Sequence, residues 1–131
     1  MAVEIRVYYE DTDLGGVVYY ANYLRYFERS RTEFLRDRGV SLAEWHRRGL
    51  VLTVTRAEVD YRRPAHYGDL LTAETTVEEV RPVRFTLGCR IRRQETGEVL
   101  VEGRTTLACL EAATGRPVAL PEEIRRALAE H

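Results

Sequence analysis

The densest chemistry in the chain is the run Glu10-Asp11-Thr12-Asp13-Leu14-Gly15-Gly16, followed by Val17-Val18-Tyr19-Tyr20-Ala21-Asn22-Tyr23. Three carboxylates fall within four residues, between an alternating apolar stretch and a helical pattern. A helix start carries free N–H groups and partial positive charge. The spacing therefore brings a carboxylate and a set of backbone donors together. That combination suits hydrolysis: one Asp acts as nucleophile or as general base on water, and the N–H groups hold an oxyanion. A carboxylate is a weak nucleophile, so an activated acyl group such as a thioester fits better than an amide. The same residues also have a purely local use. Asp11 and Asp13 can cap turns, and Gly15 and Gly16 can supply positive φ.

Two other chemistries are excluded on spacing. A calcium loop starting at Asp11 would have Gly15 at its fifth position and Asn22 at its twelfth, where oxygen ligands and a Glu are needed. A phosphatase-type Asp-x-Asp needs alternating strands and helices plus a basic phosphate clamp such as Lys. Neither is present.

The elements that must position this run follow from periodicity. Val3-Glu4-Ile5-Arg6-Val7-Tyr8 alternates as a strand. Residues 21–38 read as a helix, with Leu24, Phe27, Arg31, Phe34 and Leu35 at helical spacing and Gly39 as its stop. Residues 41–48 read as a short helix, and Ser41-Leu42-Ala43-Glu44 has the capping-box spacing. Four strands follow over 51–61, 70–80, 83–91 and 99–110, the third with clean alternation of Val83, Phe85, Leu87, Cys89 and Ile91. Pro121 opens a last helix over 122–130. Tight links such as Thr96-Gly97 favour antiparallel pairing. The fold class is α+β: one five-stranded antiparallel sheet on one principal helix, in a single domain over 1–131. Leu70 beside Leu71, and Cys109 beside Leu110, put apolar residues on both phases of strands. Oligomerisation is expected to cover that surface.

Composition narrows the function. All 20 basic residues are Arg, and net charge is −1. Without Lys there is no Schiff-base lysine and no P-loop. Ser30 and Ser41 are the only serines, which leaves little for a serine triad. The charge balance gives no reason to expect nucleic acid as partner. No apolar run approaches a membrane span, and the first residues lack a signal-peptide core. Cys89 and Cys109 lie apart in apolar alternating runs and read as buried, reduced thiols. A cytoplasmic protein fits these features. His46, His66 and His131 have no metal-ligand spacing, so no metal and no cofactor are expected. Trp45 reads as a core or interface anchor, and Tyr19, Tyr23 and Tyr26 as packing residues or walls of an acyl pocket.

The stretch from Tyr8 to Leu24, with Phe27-Glu28-Arg29-Ser30-Arg31-Thr32-Glu33, closely resembles the 4-hydroxybenzoyl-CoA thioesterase family, and within it the YbgC-type acyl-CoA thioesterases. The similarity continues through Tyr61-Arg62-Arg63-Pro64-Ala65, Gly68-Asp69-Leu70-Leu71 and Ala119-Leu120-Pro121. The resemblance implies the hotdog fold, in homodimers that often pair into homotetramers, with acyl-CoA as substrate. It implies that Asp13, not Asp11, is the catalytic carboxylate, and that the backbone N–H of Tyr20 is the oxyanion donor. YbgC-type proteins usually carry His where this chain has Tyr20. A backbone donor survives that change, whereas an imidazole role does not. Gly16 and Asn22 are expected to bind substrate, although Asn22 equally suits a capping role. Arg81 matches a basic position expected to meet CoA phosphates, with Arg62, Arg63 and Arg84 as weaker candidates. A binding module that holds acyl-CoA without turnover is the competing reading. A hotdog dehydratase is disfavoured, because residues 21–38 contain no His.

Overall fold

The structure is a computed structural model that describes residues 2–129. Glu130, the expected end of the last helix, and His131 lie outside the described residues. Five strands form one antiparallel sheet: β1 (Ala2–Arg6), β2 (Leu50–Tyr61), β3 (Leu70–Val80), β4 (Arg84–Arg93) and β5 (Val99–Glu111). Their order in space is β1-β3-β4-β5-β2. The tight β3–β4 and β4–β5 links are hairpins, as the turn residues suggest. The outer strands come from distant segments.

The helix α1 (Tyr23–Asp37) lies against one face of this sheet. It begins two residues later than the sequence pattern suggests, because Tyr20–Asn22 form a 3₁₀ turn ahead of it. Its buried residues are Tyr23, Tyr26, Phe27, Ser30, Phe34 and Leu35, while Leu24 is 42% exposed. Tyrosines thus carry the first turns of the buried face. Their rings bury while a hydroxyl remains to be satisfied, so Tyr hides from an apolar count.

Contact between helix and sheet is close at one point. A Cβ on Gly103 of β5 would fall 2.4 Å from the Phe27 ring, so only glycine lets that ring reach the strand. The inner row Val3, Ala73, Ile91 and Val101 runs across four strands beneath the helix. Two apolar clusters result. One joins the first half of α1 to Ile5, Val7, Leu71 and Leu100. The other joins Phe34 and Leu35 to Phe85, Leu107, Trp45 of α2 (Leu42–Arg47) and Ile124 and Leu128 of α3 (Glu122–Ala129). Ser41 caps α2 by accepting the Glu44 N–H at 3.2 Å.

The outer face of the sheet differs from expectation. Its central rows carry Thr76, Arg104 and Glu58, then Glu74, Arg90, Glu102 and Asp60. Arg104 meets Glu78 at 2.6 Å, and Arg90 meets Glu102 at 3.0 Å. Where both strand phases are apolar, near the strand ends, the chain covers itself: Leu110 is bridged by Pro117. The central rows of the outer face are therefore polar among the described residues.

Candidate active site

After β1 the chain enters a short 3₁₀ turn at Tyr9–Asp11 and then doubles back in a small hairpin. Thr12 bridges Val18, Asp13 N–H donates to Val17 O at 2.9 Å, and Tyr19 N–H donates to Asp11 O at 2.9 Å. The tip is Asp13 to Gly16. Asp13 Oδ1 accepts the Gly15 N–H at 2.8 Å, an Asx turn, and Gly16 closes it with φ +79°. A side chain at Gly16 would strain the backbone there. Val17 pairs with His66, and Tyr67 N–H donates to Gly16 O at 3.2 Å, so the hairpin leans on the loop before β3.

The structure brings Asp13, Gly16 and Tyr20 onto this one hairpin and its exit. Asp13 is exposed and Asp11 is buried, at 5% exposure. Tyr20 opens the 3₁₀ turn, and among the described residues no acceptor pairs with its N–H. That is the orphan donor of a helical first turn. Its carbonyl accepts the Tyr61 hydroxyl at 3.0 Å.

Beside Tyr20 lies a cleft of about 250 Å³, lined by Val18, Tyr20, Tyr23, Tyr61, Arg62 and Pro64, with Arg63. Its walls are aromatic and its rim carries two guanidinium groups. Arg62 pairs with Glu102 at 3.2 Å and Arg63 with Glu98 at 3.2 Å. Burial raises the Tyr23 pKa above its ordinary value, although its oxygen accepts the Ala65 N–H at 3.2 Å. Burial also raises that of Tyr61. Both hydroxyls are neutral at pH 7. A larger concavity, about 370 Å³, lies on the outer sheet face among the ion-paired Glu78, Arg104, Arg90 and Glu102. It holds no donor–nucleophile arrangement.

Two of the sequence-selected residues lie elsewhere. Asn22 is buried at 8% exposure, and its Nδ2 donates to Asp11 Oδ1 at 3.1 Å. It does not line the cleft, and its side chain makes no capping bond to α1. Arg81 sits in the β3–β4 turn, paired with Glu79 at 2.7 Å. The cleft lies at the end of β2, where Tyr61 is level, across β5 and β4, with Ala73 of β3; from there Arg81 is about 26 Å further along the strand direction. Within one chain the two do not meet. Arg84 shares that far end.

Two supporting residues escape a sequence reading. Arg93, only 18% exposed in its side chain, holds Asp69 at 3.2 Å and Glu98 at 2.7 Å. It also donates to Pro64 O at 2.9 Å, fixing the loop that backs the hairpin. Arg93 lies in an Arg-rich run that looks like solvated surface. Asp11 is the second, and only its burial distinguishes it from Asp13. Cys89 and Cys109 are free thiols. Burial pushes the Cys89 thiol up to about 11. Among the described residues no three His, Cys, Asp or Glu side chains are grouped to hold a metal.

Comparison with known proteins bears on the family and the fold. The family model of the thioesterase-like superfamily matches residues 7–128. The acyl-CoA thioesterase YbgC of Haemophilus influenzae is 39% identical over 124 residues, covering 94% of this chain and 90% of that protein. A 1,4-dihydroxy-2-naphthoyl-CoA thioesterase from Synechocystis superposes with a TM-score of 0.92 at 27% identity, covering 98% of this chain and 95% of its own. A probable thioesterase from Bartonella henselae gives a TM-score of 0.85 at 36% identity, covering 92% and 98%. With its helix wrapped by one antiparallel sheet, the chain has the hotdog fold and belongs to the thioesterase-like superfamily.

Proposed function

We propose that the chain hydrolyses acyl-CoA thioesters to CoA and a carboxylic acid, with Asp13 and the Tyr20 N–H as its catalytic groups. The observation that carries this reading is the hairpin that holds an exposed carboxylate and an unpaired helical N–H beside an aromatic cleft. The acyl carbonyl oxygen sits on the Tyr20 N–H. Asp13 supplies an electron pair at the carbonyl carbon, directly or by taking a proton from the attacking water. The C–S bond breaks, CoA leaves as a thiolate, and solvent protonates it; after direct attack, a water then cleaves the Asp13–acyl anhydride, which releases the carboxylic acid and frees Asp13. The hydrogen bond donated by the Tyr20 N–H strengthens as charge builds on the oxygen, which is what lowers the barrier. The acyl group occupies the cleft of Tyr20, Tyr23 and Tyr61. Arg62 and Arg63 at its rim suit CoA phosphates better than the distant Arg81, which could serve CoA only across a contact between copies.

Association into dimers, or tetramers built from them, belongs to the same reading. It is supported by β2, an edge strand of 12 residues whose last residue, Tyr61, lines the cleft. Two free cysteines fit a reducing compartment such as the cytoplasm. Among the described residues no helix is long and apolar enough to cross a membrane.

The test is hydrolysis of a panel of acetyl-, hexanoyl-, benzoyl- and 4-hydroxybenzoyl-CoA, followed by thiol release, for the wild type and Asp13→Asn. Turnover by the wild type and its loss in a folded variant are expected. Full activity in Asp13→Asn would remove Asp13 from the mechanism. Tight binding of the panel without thiol release would make the protein an acyl-CoA binding module instead.

A further inference from the structure

We infer that Asp11 is a positioning residue for the proposed hydrolysis: its buried carboxylate and its carbonyl together aim the Tyr20 N–H. This rests on the roles given above to Asp13 and Tyr20.

The case starts from cost. A carboxylate at 5% exposure is expensive unless its oxygens are bonded. Asp11 Oδ2 accepts the Tyr8 N–H at 2.9 Å, and Oδ1 accepts Asn22 Nδ2 at 3.1 Å. Its main chain is equally committed. The Asp11 N–H donates to Tyr8 O at 3.0 Å, and its carbonyl accepts the Tyr19 N–H at 2.9 Å. One residue thus ties together the end of β1, the returning arm of the hairpin and the turn before α1.

Tyr20 lies between the two points that Asp11 holds. Tyr19 is fixed through its N–H, and Asn22 through its side chain. The peptide that carries the Tyr20 N–H joins Tyr19 to Tyr20. Its orientation is therefore set from both sides by Asp11. Asp13 is two residues further along the same arm, its own N–H on Val17 O at 2.9 Å. Carboxylate and oxyanion donor are thereby held in one frame. Asp11 itself does not line the cleft.

A third group faces the same carboxylate. The Tyr26 hydroxyl is buried and has no hydrogen-bond partner among the described residues. Burial, then Asp11, raises its pKa, so it stays a neutral donor. The hydroxyl comes from α1 itself, one turn after Asn22. Asp11 thus takes its donors from Tyr8, Tyr19 and Asn22, with the Tyr26 hydroxyl of the helix beside it.

Asymmetry between donors and acceptors supplies the test. An amide in place of the Asp11 carboxylate turns one acceptor into a donor that opposes Asn22 Nδ2. Exchanging the two types, Asp11→Asn with Asn22→Asp, restores a donor–acceptor pair of the same size. The four proteins to measure are the wild type, each single variant and the exchange, with Asp13→Asn alongside. Each is assayed on the acyl-CoA of the panel that the wild type turns over best. For Asp11→Asn a kcat loss of about 100-fold is expected, as for a misplacement near 1 Å, with KM within about threefold. The exchange should recover most of that kcat. A merely structural role predicts otherwise: kcat per folded molecule unchanged, or a loss that follows thermal stability and is not recovered by the exchange. Either result overturns the inference. If Asp13→Asn is inactive while Asp11→Asn is fully active, only the positioning role fails. If Asp13→Asn is fully active, or the wild type hydrolyses none of the panel, the catalytic reading fails and the inference with it.

Discussion

The two ends of α1 are built on different physics. Around its last turns Phe34 and Leu35 pack with the apolar Phe85, Leu107, Trp45, Ile124 and Leu128. Around its first turns there is also an apolar core, but a polar frame is laid through it. Asp11 and Asn22 are buried there, and Tyr23 and Tyr26 bring hydroxyls inside. Apolar packing is non-directional and scales with area, so the far end contributes stability whatever its fine angles. Hydrogen bonds add little net stability but fix direction. A hydrolytic site needs direction. This helix is anchored at one end and aimed at the other.

Substitutions can break that division or sharpen it. The largest effect is expected at the aimed end: Asp13→Asn should lower kcat about a thousand-fold, with the melting temperature unchanged because the residue is exposed. Loss of stability without loss of kcat would reverse the comparison. At the anchored end, Phe85→Ala removes a side chain that is 1% exposed. It should cost about 3–5 kcal/mol in denaturant titrations while kcat per folded molecule holds. Between the two ends, Ser30 Oγ and Thr75 Oγ1 are 2.6 Å apart and buried. Ser30→Ala strands one hydroxyl and should cost about 1–3 kcal/mol.

The smallest effect is alkaline. The folded Cys89 thiol titrates near 11 against an ordinary 9.0. Its folded pKa is raised, so its contribution is complete below pH 9 and fades as pH rises towards 11. Stability measured across that window should slope downward, and Cys89→Ala should flatten part of the slope. At pH 8 a thiol reagent should react slowly with the native protein and release two equivalents once it is unfolded.

Much of the fold is legible because it depends on period. Val83 to Ile91 alternate cleanly, Gly39 ends a helix and Thr96-Gly97 makes a hairpin, all local signals. The order of the strands in space carries no such signal, since β1 and β2 join the sheet at opposite edges. Leu24 has the helical spacing of a core residue yet is 42% exposed, while Tyr23 and Tyr26 are buried and Tyr19 is not, for a chemical reason. A tyrosine can be either wall or surface, and an apolar count cannot choose. At the site, Asp13 and Tyr20 are legible through the long motif around them. The contrast between exposed Asp13 and buried Asp11 is not, because two Asp residues two apart look alike until a hairpin turns one inward. Arg81 shows the converse. Its residue type suits a phosphate, but its place in the β3–β4 turn decides what it can reach within one chain.

The glycine under the Phe27 ring has a mechanical consequence. A helix resting on a smooth sheet could slide or roll with little penalty, since neighbouring apolar contacts are interchangeable. Here the ring is seated in a notch whose walls include the Glu58 carbonyl, which would lie 2.7 Å from an added Cβ. The notch acts as a detent. It indexes the helix to the sheet one turn behind Tyr23, and so transmits the rigidity of the strands to the unpaired N–H at the helix mouth. Gly103→Ala would push on that detent from below. It would move the whole lever without touching any residue of the cleft.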